Sequence, residues 1–183
     1  MISYIAIGSN QSNPTKQLTL AISAINKITN TCVLAQSSFY YSAPMGPQDQ
    51  PDYANAVVKI KTNLPAIKLL DKLQKIEISQ GRIRKKERWG ARTLDLDILL
   101  CDDLVINHPR LTVPHYGMKV RAFVLYPLFE IDENIILPDG SALSQLLAQC
   151  DINNLTKISD LGSSGNQVKP VTLNLLANDT QED

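Results

Sequence analysis

The sequence predicts an α+β domain: a split β-α-β-β-α-β core whose antiparallel sheet carries helices packed on it, followed by extra C-terminal elements. Three observations point there. Leu18, Ala21, Ile22, Ile25 and Ile28 recur at helical spacing, and so do Leu69, Leu70, Leu73 and Ile76. Two other stretches alternate with the period of a strand: Tyr53, Asn55, Val57 and Lys59 against Ala54, Ala56, Val58 and Ile60, and then residues 94–100. Turn residues punctuate the chain between these segments.

Taken in order, residues 1–8 are apolar and β-rich, and Gly8-Ser9-Asn10 ends them as a first strand. Asn13 and Pro14 supply an N-cap and a proline in the first helical turn, so the first helix starts there. A second strand is predicted over 33–41. Residues 42–52 hold Pro44, Gly46, Pro47 and Pro51 and read as a loop before the strand that begins at Tyr53. Asn63-Leu64-Pro65 opens a second helix, and Gly81 closes it. A basic stretch leads into the strand 94–100, with Leu94, Leu96, Ile98 and Leu100 facing the core. Pro109, Pro114 and Gly117 mark the next loop. A helix is predicted over 123–130, disturbed near Pro127. A short strand over 135–137, a turn at Pro138-Asp139-Gly140 and a final helix over 141–150, capped by Ser141, complete the series. This order is that of the ferredoxin-like arrangement. Beyond Asp151 the composition shifts to Asn, Ser, Gly and Thr with one apolar patch at 171–176, so the folded domain is expected over 1–154 and a tail of unassigned role over 155–183.

Composition narrows the function classes. Lysine plus arginine and aspartate plus glutamate both number 18, so the chain lacks the overall basic field of a nucleic-acid binder, and any positive site must come from local clustering. The apolar runs fall short of the roughly 18 residues that span a membrane. Cys32, Cys101 and Cys150 are scattered without a C-x-x-C pair, and the amino terminus reads as a buried strand and not as a signal peptide. A cytoplasmic protein is expected.

Residues 94–100 bear most on function. If alternate leucines and Ile98 face inward, Asp95 and Asp97 share the other face, about 6.5–7 Å apart at Cα. Carboxylates this close repel unless a cation or proton lies between them. Mg²⁺ favours oxygen ligands and commonly uses one or two carboxylates together with substrate phosphates. Just upstream, Arg82, Arg84, Lys85, Lys86, Arg88 and Arg92 place six basic residues among eleven, with Glu87 alone opposing them; Arg110, His115, Lys119 and Arg121 follow downstream. A polyphosphate can engage both sets, through metal ions on one side and bidentate guanidinium groups on the other. The pattern therefore points to a nucleoside triphosphate site, although the P-loop and protein-kinase motifs are absent. A slot for a flat acceptor is suggested by Tyr53 and Asn55 on one strand face, the neighbouring loop Ser42-Ala43-Pro44-Met45, the single tryptophan Trp89 within the basic run, and Phe123.

The stretch Arg88-Trp89-Gly90-Ala91-Arg92-Thr93-Leu94-Asp95-Leu96-Asp97 resembles the signature of the 6-hydroxymethyl-7,8-dihydropterin pyrophosphokinase family. Residues 4–10, 46–56 and 111–116 are similar to further stretches of that family, and the resemblance runs from about Ile2 to about Cys150. It implies a ferredoxin-like catalytic domain that transfers pyrophosphate from ATP to the pterin hydroxymethyl group in folate biosynthesis, with AMP leaving. It further implies that Asp95 and Asp97 bind two Mg²⁺ ions, and that Arg82 and Arg92 stabilise the transferring group. ATP would be held by Gln74, Glu77, Arg84, Lys85, Ile98, Arg110, Thr112, His115, Tyr116 and Arg121. The pterin would be held by Ser42, Ala43, Pro44, Met45, Tyr53, Asn55, Trp89 and Phe123. ATP and the pterin would be the partners, and the protein is expected to act as a monomer. The loop sequence Ser42-Ala43-Pro44-Met45 departs from the Thr-Pro-Pro-Leu common in the family, which loses a proline but leaves backbone recognition possible. Two other classes compete. A two-metal nuclease or phosphoesterase would gather more acidic or histidine ligands around Asp95 and Asp97, where this segment offers arginines. An RNA-binding module would display aromatic pairs on its open sheet face, and aromatic content is only 5%.

Overall fold

In the computed structural model, which describes residues 1–82, 92–152 and 155–158, strand β1 (Ile2–Ser9) lies near the centre of the sheet. It is antiparallel to β4 (Tyr53–Thr62) on one side and to β5 (Asp95–Cys101) on the other. The far edge of β4 is covered by two short strands in succession, β2 (Thr31–Gln36) and β3 (Tyr40–Ser42). Counting β2 and β3 as one, the order is that of the ferredoxin-like sheet. The single strand expected over 33–41 is thus broken at 37–39. There the Ser37 hydroxyl accepts the Val57 N–H at 3.0 Å, a role a ladder carbonyl fills elsewhere, and the pairing resumes at Tyr40.

Helix α1 (Pro14–Asn26) starts as its sequence predicts. The Asn13 side chain accepts the Lys16 N–H at 3.2 Å, and Leu18, Ala21, Ile22 and Ile25 turn inward. Helix α2 (Ala66–Ser79) follows Pro65 and buries Leu69, Leu70, Leu73 and Ile76. Beyond it, Gly81 takes φ of 86°, a left-handed conformation in which glycine carries no Cβ penalty, and the chain reverses so that the Arg82 N–H reaches the Glu77 carbonyl at 3.0 Å. Both helices pack on one sheet face, over Ile5, Ile7, Ala54, Ala56, Val58, Ile60, Leu96 and Ile98.

The opposite face is covered in part by α3 (Ala122–Ile131), which runs through Pro127, and α4 (Leu143–Ala148). Val124, Leu125, Leu128, Leu143 and Leu147 pack there against Tyr4, Val57, Leu99 and Leu100. Leu100 was expected beside Leu96 and Ile98. The register instead jumps from Ile5↔Ile98 to Tyr4↔Leu100, so Leu99 is an extra residue in β5. This bulge turns Leu99 and Leu100 toward α3 and returns Cys101 to the α1/α2 side.

Other expectations change. Residues 101–121 are not simply a loop, because β6 (Ile106–His108) and β7 (Leu111–Val113) form a hairpin, followed by a 3-10 turn at Met118–Val120. Residues 135–137 make no strand beyond one bridge, Ile136↔Ala142. Ser141 does not cap the last helix. Its N–H goes to the Asp139 carboxylate at 3.1 Å in the preceding turn, and α4 starts only at Leu143. Finally β8 (Thr156–Lys157), drawn from the first residues of the expected tail, pairs with Tyr40 and Tyr41 and extends the sheet. Among the described residues no helix is long and apolar enough to cross a membrane.

Candidate active site

Where α3 and α4 leave the sheet face uncovered, a cleft of about 360 Å³ opens. Its floor is made by three strands. Gly8 stands across the sheet from Asn55 on one side and Asp95 on the other, and Ala6 stands beside Asp97. These two small residues keep the floor flat between the acidic strand and the Tyr53/Asn55 end. One wall is the loop 42–46, another is the first turn of α3 with Arg121 and Phe123, and a third is formed by Arg110, His115 and Tyr116 after β6. On the α2 side Leu70, Gln74, Glu77 and Arg82 complete it.

The two aspartates share the open face, as alternation along β5 requires, but their surroundings differ. The Asp95 carboxylate is gripped at both oxygens, by Arg82 Nη1 at 2.5 Å and by Arg92. Arg82 also meets Glu77, which is 2% exposed and accepts the Leu96 backbone N–H at 2.9 Å. A chain of charge thus runs from α2 through Arg82 to β5. Asp97 is held less tightly. His115 faces it, with Nε2 3.8 Å away. Desolvation deep in the cleft, and then the neighbouring Asp95 and Glu77 carboxylates, push the Asp97 pKa up to about 7. Burial, and then the Arg121 charge, lower His115 to about 4, so its imidazole is neutral near neutral pH. Its Nδ1 accepts the Gly117 N–H at 3.2 Å, which leaves the proton on Nε2, facing Asp97. The Arg121 guanidinium lies 5.5 Å from the Tyr116 ring centre and 5.9 Å from that of Phe123. It rests on Gly117, where a Cβ would come within 2.6 Å of Arg121 Cζ.

At the other end Asn55 is 5% exposed. Its amide nitrogen donates to Ser42 Oγ at 2.9 Å and to the Tyr53 carbonyl at 3.2 Å, so its carbonyl oxygen is the group it can offer a ligand. Loop 42–46 is braced from within by Gln48, whose side-chain nitrogen donates to the Pro44 and Gly46 carbonyls, each at 2.9 Å. Arg110 reaches back from the hairpin to Asp71 of α2 at 2.6 Å.

Most of the residues singled out in the sequence therefore meet in one cleft: Ser42, Ala43, Pro44, Met45, Tyr53, Asn55, Gln74, Glu77, Arg82, Arg92, Asp95, Asp97, Arg110, His115, Tyr116, Arg121 and Phe123. Two do not line it. The Ile98 side chain is 2% exposed and packs on the α1/α2 side of the edge strand. Thr112 is exposed on β7. Arg84, Lys85 and Trp89 lie outside the described residues. Gly8, Ala6, Leu70, Leu99 and Val124 were not foreseen as lining residues. Gly8 and Ala6 had a signal in the small side chains at alternate positions of β1, but only pairing with β4 and β5 gives it meaning.

The donor set fits a hard divalent cation. Among the described residues no group of three or more His, Cys, Asp or Glu could hold a metal by itself, so two carboxylates would need oxygen ligands from a substrate, which is how Mg²⁺ is often held with phosphates.

Fold and cleft together define a ferredoxin-like α+β protein built to set carboxylates against guanidinium groups on an open sheet face. The family model for 7,8-dihydro-6-hydroxymethylpterin-pyrophosphokinase (HPPK) matches residues 4–133, and the chain belongs to that family. It is 51% identical over 156 residues to 2-amino-4-hydroxy-6-hydroxymethyldihydropteridine pyrophosphokinase of Haemophilus influenzae, covering 85% of this chain and 97% of the relative. The Pseudomonas aeruginosa protein of the same name is 47% identical over 155 residues, 85% of this chain and 95% of that one. Among solved structures, an HPPK-DHPS in complex with substrates superposes with a TM-score of 0.66 at 13% identity, covering 81% of this chain and 44% of that one. A Plasmodium falciparum HPPK-DHPS with pterin and p-hydroxybenzoate gives 0.65 at 12% identity, over 81% and 43%. The chain spans less than half the length of these HPPK-DHPS chains, and at such identity the likeness concerns the fold.

Proposed function

We propose that the chain transfers a pyrophosphoryl group from ATP to the hydroxymethyl group of 6-hydroxymethyl-7,8-dihydropterin, in folate biosynthesis. The hydroxymethyl oxygen attacks the β-phosphorus, the bond from that phosphorus to the α,β-bridging oxygen breaks, and AMP leaves while the hydroxyl loses its proton. The observation that carries this reading is the cleft in which Asp95 and Asp97 stand against Arg82 and Arg92, with Asn55 at the far end of one flat floor.

Asp95 and Asp97 would hold Mg²⁺, two ions in this reading. When bound, Mg²⁺ neutralises charge along the triphosphate and lowers the pKa of a coordinated hydroxyl. Arg82 and Arg92, which grip Asp95, would offer their guanidinium groups to the transferring phosphoryl oxygens and stabilise the charge there. Arg110, His115, Tyr116 and Arg121 bind phosphates and ribose from the hairpin side, with Arg84 and Lys85 adding to that set. Gln74, Leu70 and the Ile98 backbone frame the base. The pterin lies flat over Gly8 and is held by Tyr53, Phe123 and Trp89. The Asn55 carbonyl oxygen accepts from the pterin's amino edge, and loop 42–45 supplies backbone groups. The protein works as a cytoplasmic monomer, with neither a membrane nor nucleic acid as partner.

The test mixes the protein with Mg²⁺, ATP and 6-hydroxymethyl-7,8-dihydropterin and follows AMP by chromatography. AMP that appears only with the pterin supports the reading. Cleavage of nucleic acid without pterin-dependent AMP would replace it with a nuclease, and salt-sensitive RNA binding alone would replace it with a binding module.

A further inference from the structure

Outside the cleft, the most completely engaged carboxylate among the described residues is Glu130, near the end of α3. Oε2 accepts the Ser38 backbone N–H at 3.0 Å and the Tyr40 hydroxyl at 2.8 Å. Oε1 accepts the Ser38 hydroxyl at 2.7 Å and Lys157 Nζ at 2.9 Å. The four donors come from the break between β2 and β3, from β3 itself, and from β8. Burial works against the charge, yet these bonds together hold the Glu130 carboxyl below its ordinary range, so it is ionised.

This clasp sits at an interruption of the sheet edge. Strand β3 has three residues, and Ser38 lies in the interruption of the ladder, where the Glu130 carboxylate takes its N–H. Yet β3 must be well placed, because Ser42 ends it and the cleft wall 42–46 continues from it. Its Tyr40 carbonyl accepts from the Asn55 amide at 3.4 Å, so the orientation of Asn55 depends on the same strand. The opposite wall of the acceptor slot is Phe123, in the first turn of α3. Tyr40, 3% exposed, packs in one cluster with Ala122, Leu155 and Phe123. One helix thus sends Phe123 into the slot at its start and grips β3 through Glu130 near its end.

We propose that Glu130 is a positioning residue for the acceptor: by clasping α3 to β3 it sets the spacing between Phe123 and the 42–45 loop, and hence the fit of the pterin. Glu130 does not line the cleft, and it acts through Tyr40 and Ser38. The inference rests on the activity proposed above. Asp95, Asp97, Arg82 and Arg92 belong to β5 and its flanks, and Arg121 at the start of α3 is seated on Gly117 and beside Tyr116, so the nucleotide end has supports that the clasp does not supply.

The test compares Glu130→Gln, Glu130→Ala and Tyr40→Phe with the parent, each first shown to be folded by thermal melting. Misplacement of about 1 Å by a distant substitution can cost roughly a hundredfold, so the pterin KM is expected to rise about tenfold or more in Glu130→Ala and less in the other two. The dissociation constant for Mg²⁺-ATP and turnover at saturating pterin are expected to stay within about threefold, a split that a general loss of stability does not produce. Folded Glu130→Gln and Tyr40→Phe proteins whose pterin KM stays within about twofold of the parent overturn the inference, as does a matching loss of nucleotide affinity. If the parent makes no pterin-dependent AMP, the activity reading falls and takes the inference with it.

Discussion

Glu77 offers a direct test of how the cleft is braced. It is 2% exposed, and its Oε1 serves both the Leu96 backbone N–H of β5 and the Arg82 guanidinium, which in turn holds Asp95. Glu77→Ala leaves the Leu96 N–H buried without this acceptor, at about 1–3 kcal/mol. It also takes a carboxylate from Arg82, whose side chain is 17% exposed. Breaking a buried pair costs about 3–5 kcal/mol, and because Asp95 remains, the lower part of that range or less applies. Together these give a loss of about 3–5 kcal/mol. Glu77→Gln keeps an oxygen for the Leu96 N–H and gives up only charge assistance, so about 1–2 kcal/mol is expected. Urea unfolding of the metal-free proteins, fitted with a common slope, measures both values. The two variants should also lose turnover by roughly tenfold or more, because Arg82 is no longer presented to the phosphates by a fixed partner. A Glu77→Ala protein within about 1 kcal/mol of the parent, or less affected than Glu77→Gln, would refute the bracing argument.

Asp97→Ala should lower turnover at least roughly a thousandfold while the far-ultraviolet circular dichroism stays that of the parent, and retained activity would remove Asp97 as a metal ligand. In Leu125→Ala the loss of a fully buried side chain between α3 and the sheet should cost about 2–5 kcal/mol by urea unfolding. Acid should weaken the fold through Asp132, where burial favours the neutral acid but hydrogen bonds from Lys59 (2.6 Å) and Tyr4 (2.5 Å) outweigh it and hold the carboxyl below its ordinary value of 3.8. A carboxyl depressed in the folded state contributes stability above its unfolded pKa and loses that contribution as pH falls through the folded one. Thermal melting from about pH 5 down to 3 should therefore fall more steeply in the parent than in Asp132→Asn, and parallel curves would count against this pair.

Much of the site was legible because local periodicity carries it. A strand period puts Asp95 and Asp97 on one face whatever the rest of the chain does, and the arginines beside them were visible as charge segregation. Helix limits were legible where a cap is written in adjacent residues, as at Asn13 and Gly81. They were not legible at Ser141, because its hydroxyl is engaged by the Asp139 carboxylate and by Lys119 Nζ at 3.3 Å instead of by the N–H groups of the helix. The β5 bulge escaped because an extra residue in a ladder is set by the partner strand, and nothing in Ile98-Leu99-Leu100 marks which of the three is surplus. The break at 37–39 escaped for a like reason, since the partners of Ser37 and Ser38 are Val57 on β4 and Glu130 on α3.

The amino-acid sequence by itself determined the α+β class, the strand that carries the two aspartates, and the kind of chemistry that carboxylates facing guanidinium groups can do. Those properties follow from spacing within a few residues, where backbone geometry leaves little choice. Only the tertiary structure decided that Asp95 is gripped by Arg82 and Arg92 while Asp97 stays open to the cleft, that Gly8 flattens the floor between Asn55 and Asp95, and that Glu130 ties α3 to β3. Each of these depends on groups far apart in the chain being brought within hydrogen-bonding or packing distance, which burial of the two apolar clusters on either side of the sheet brings about.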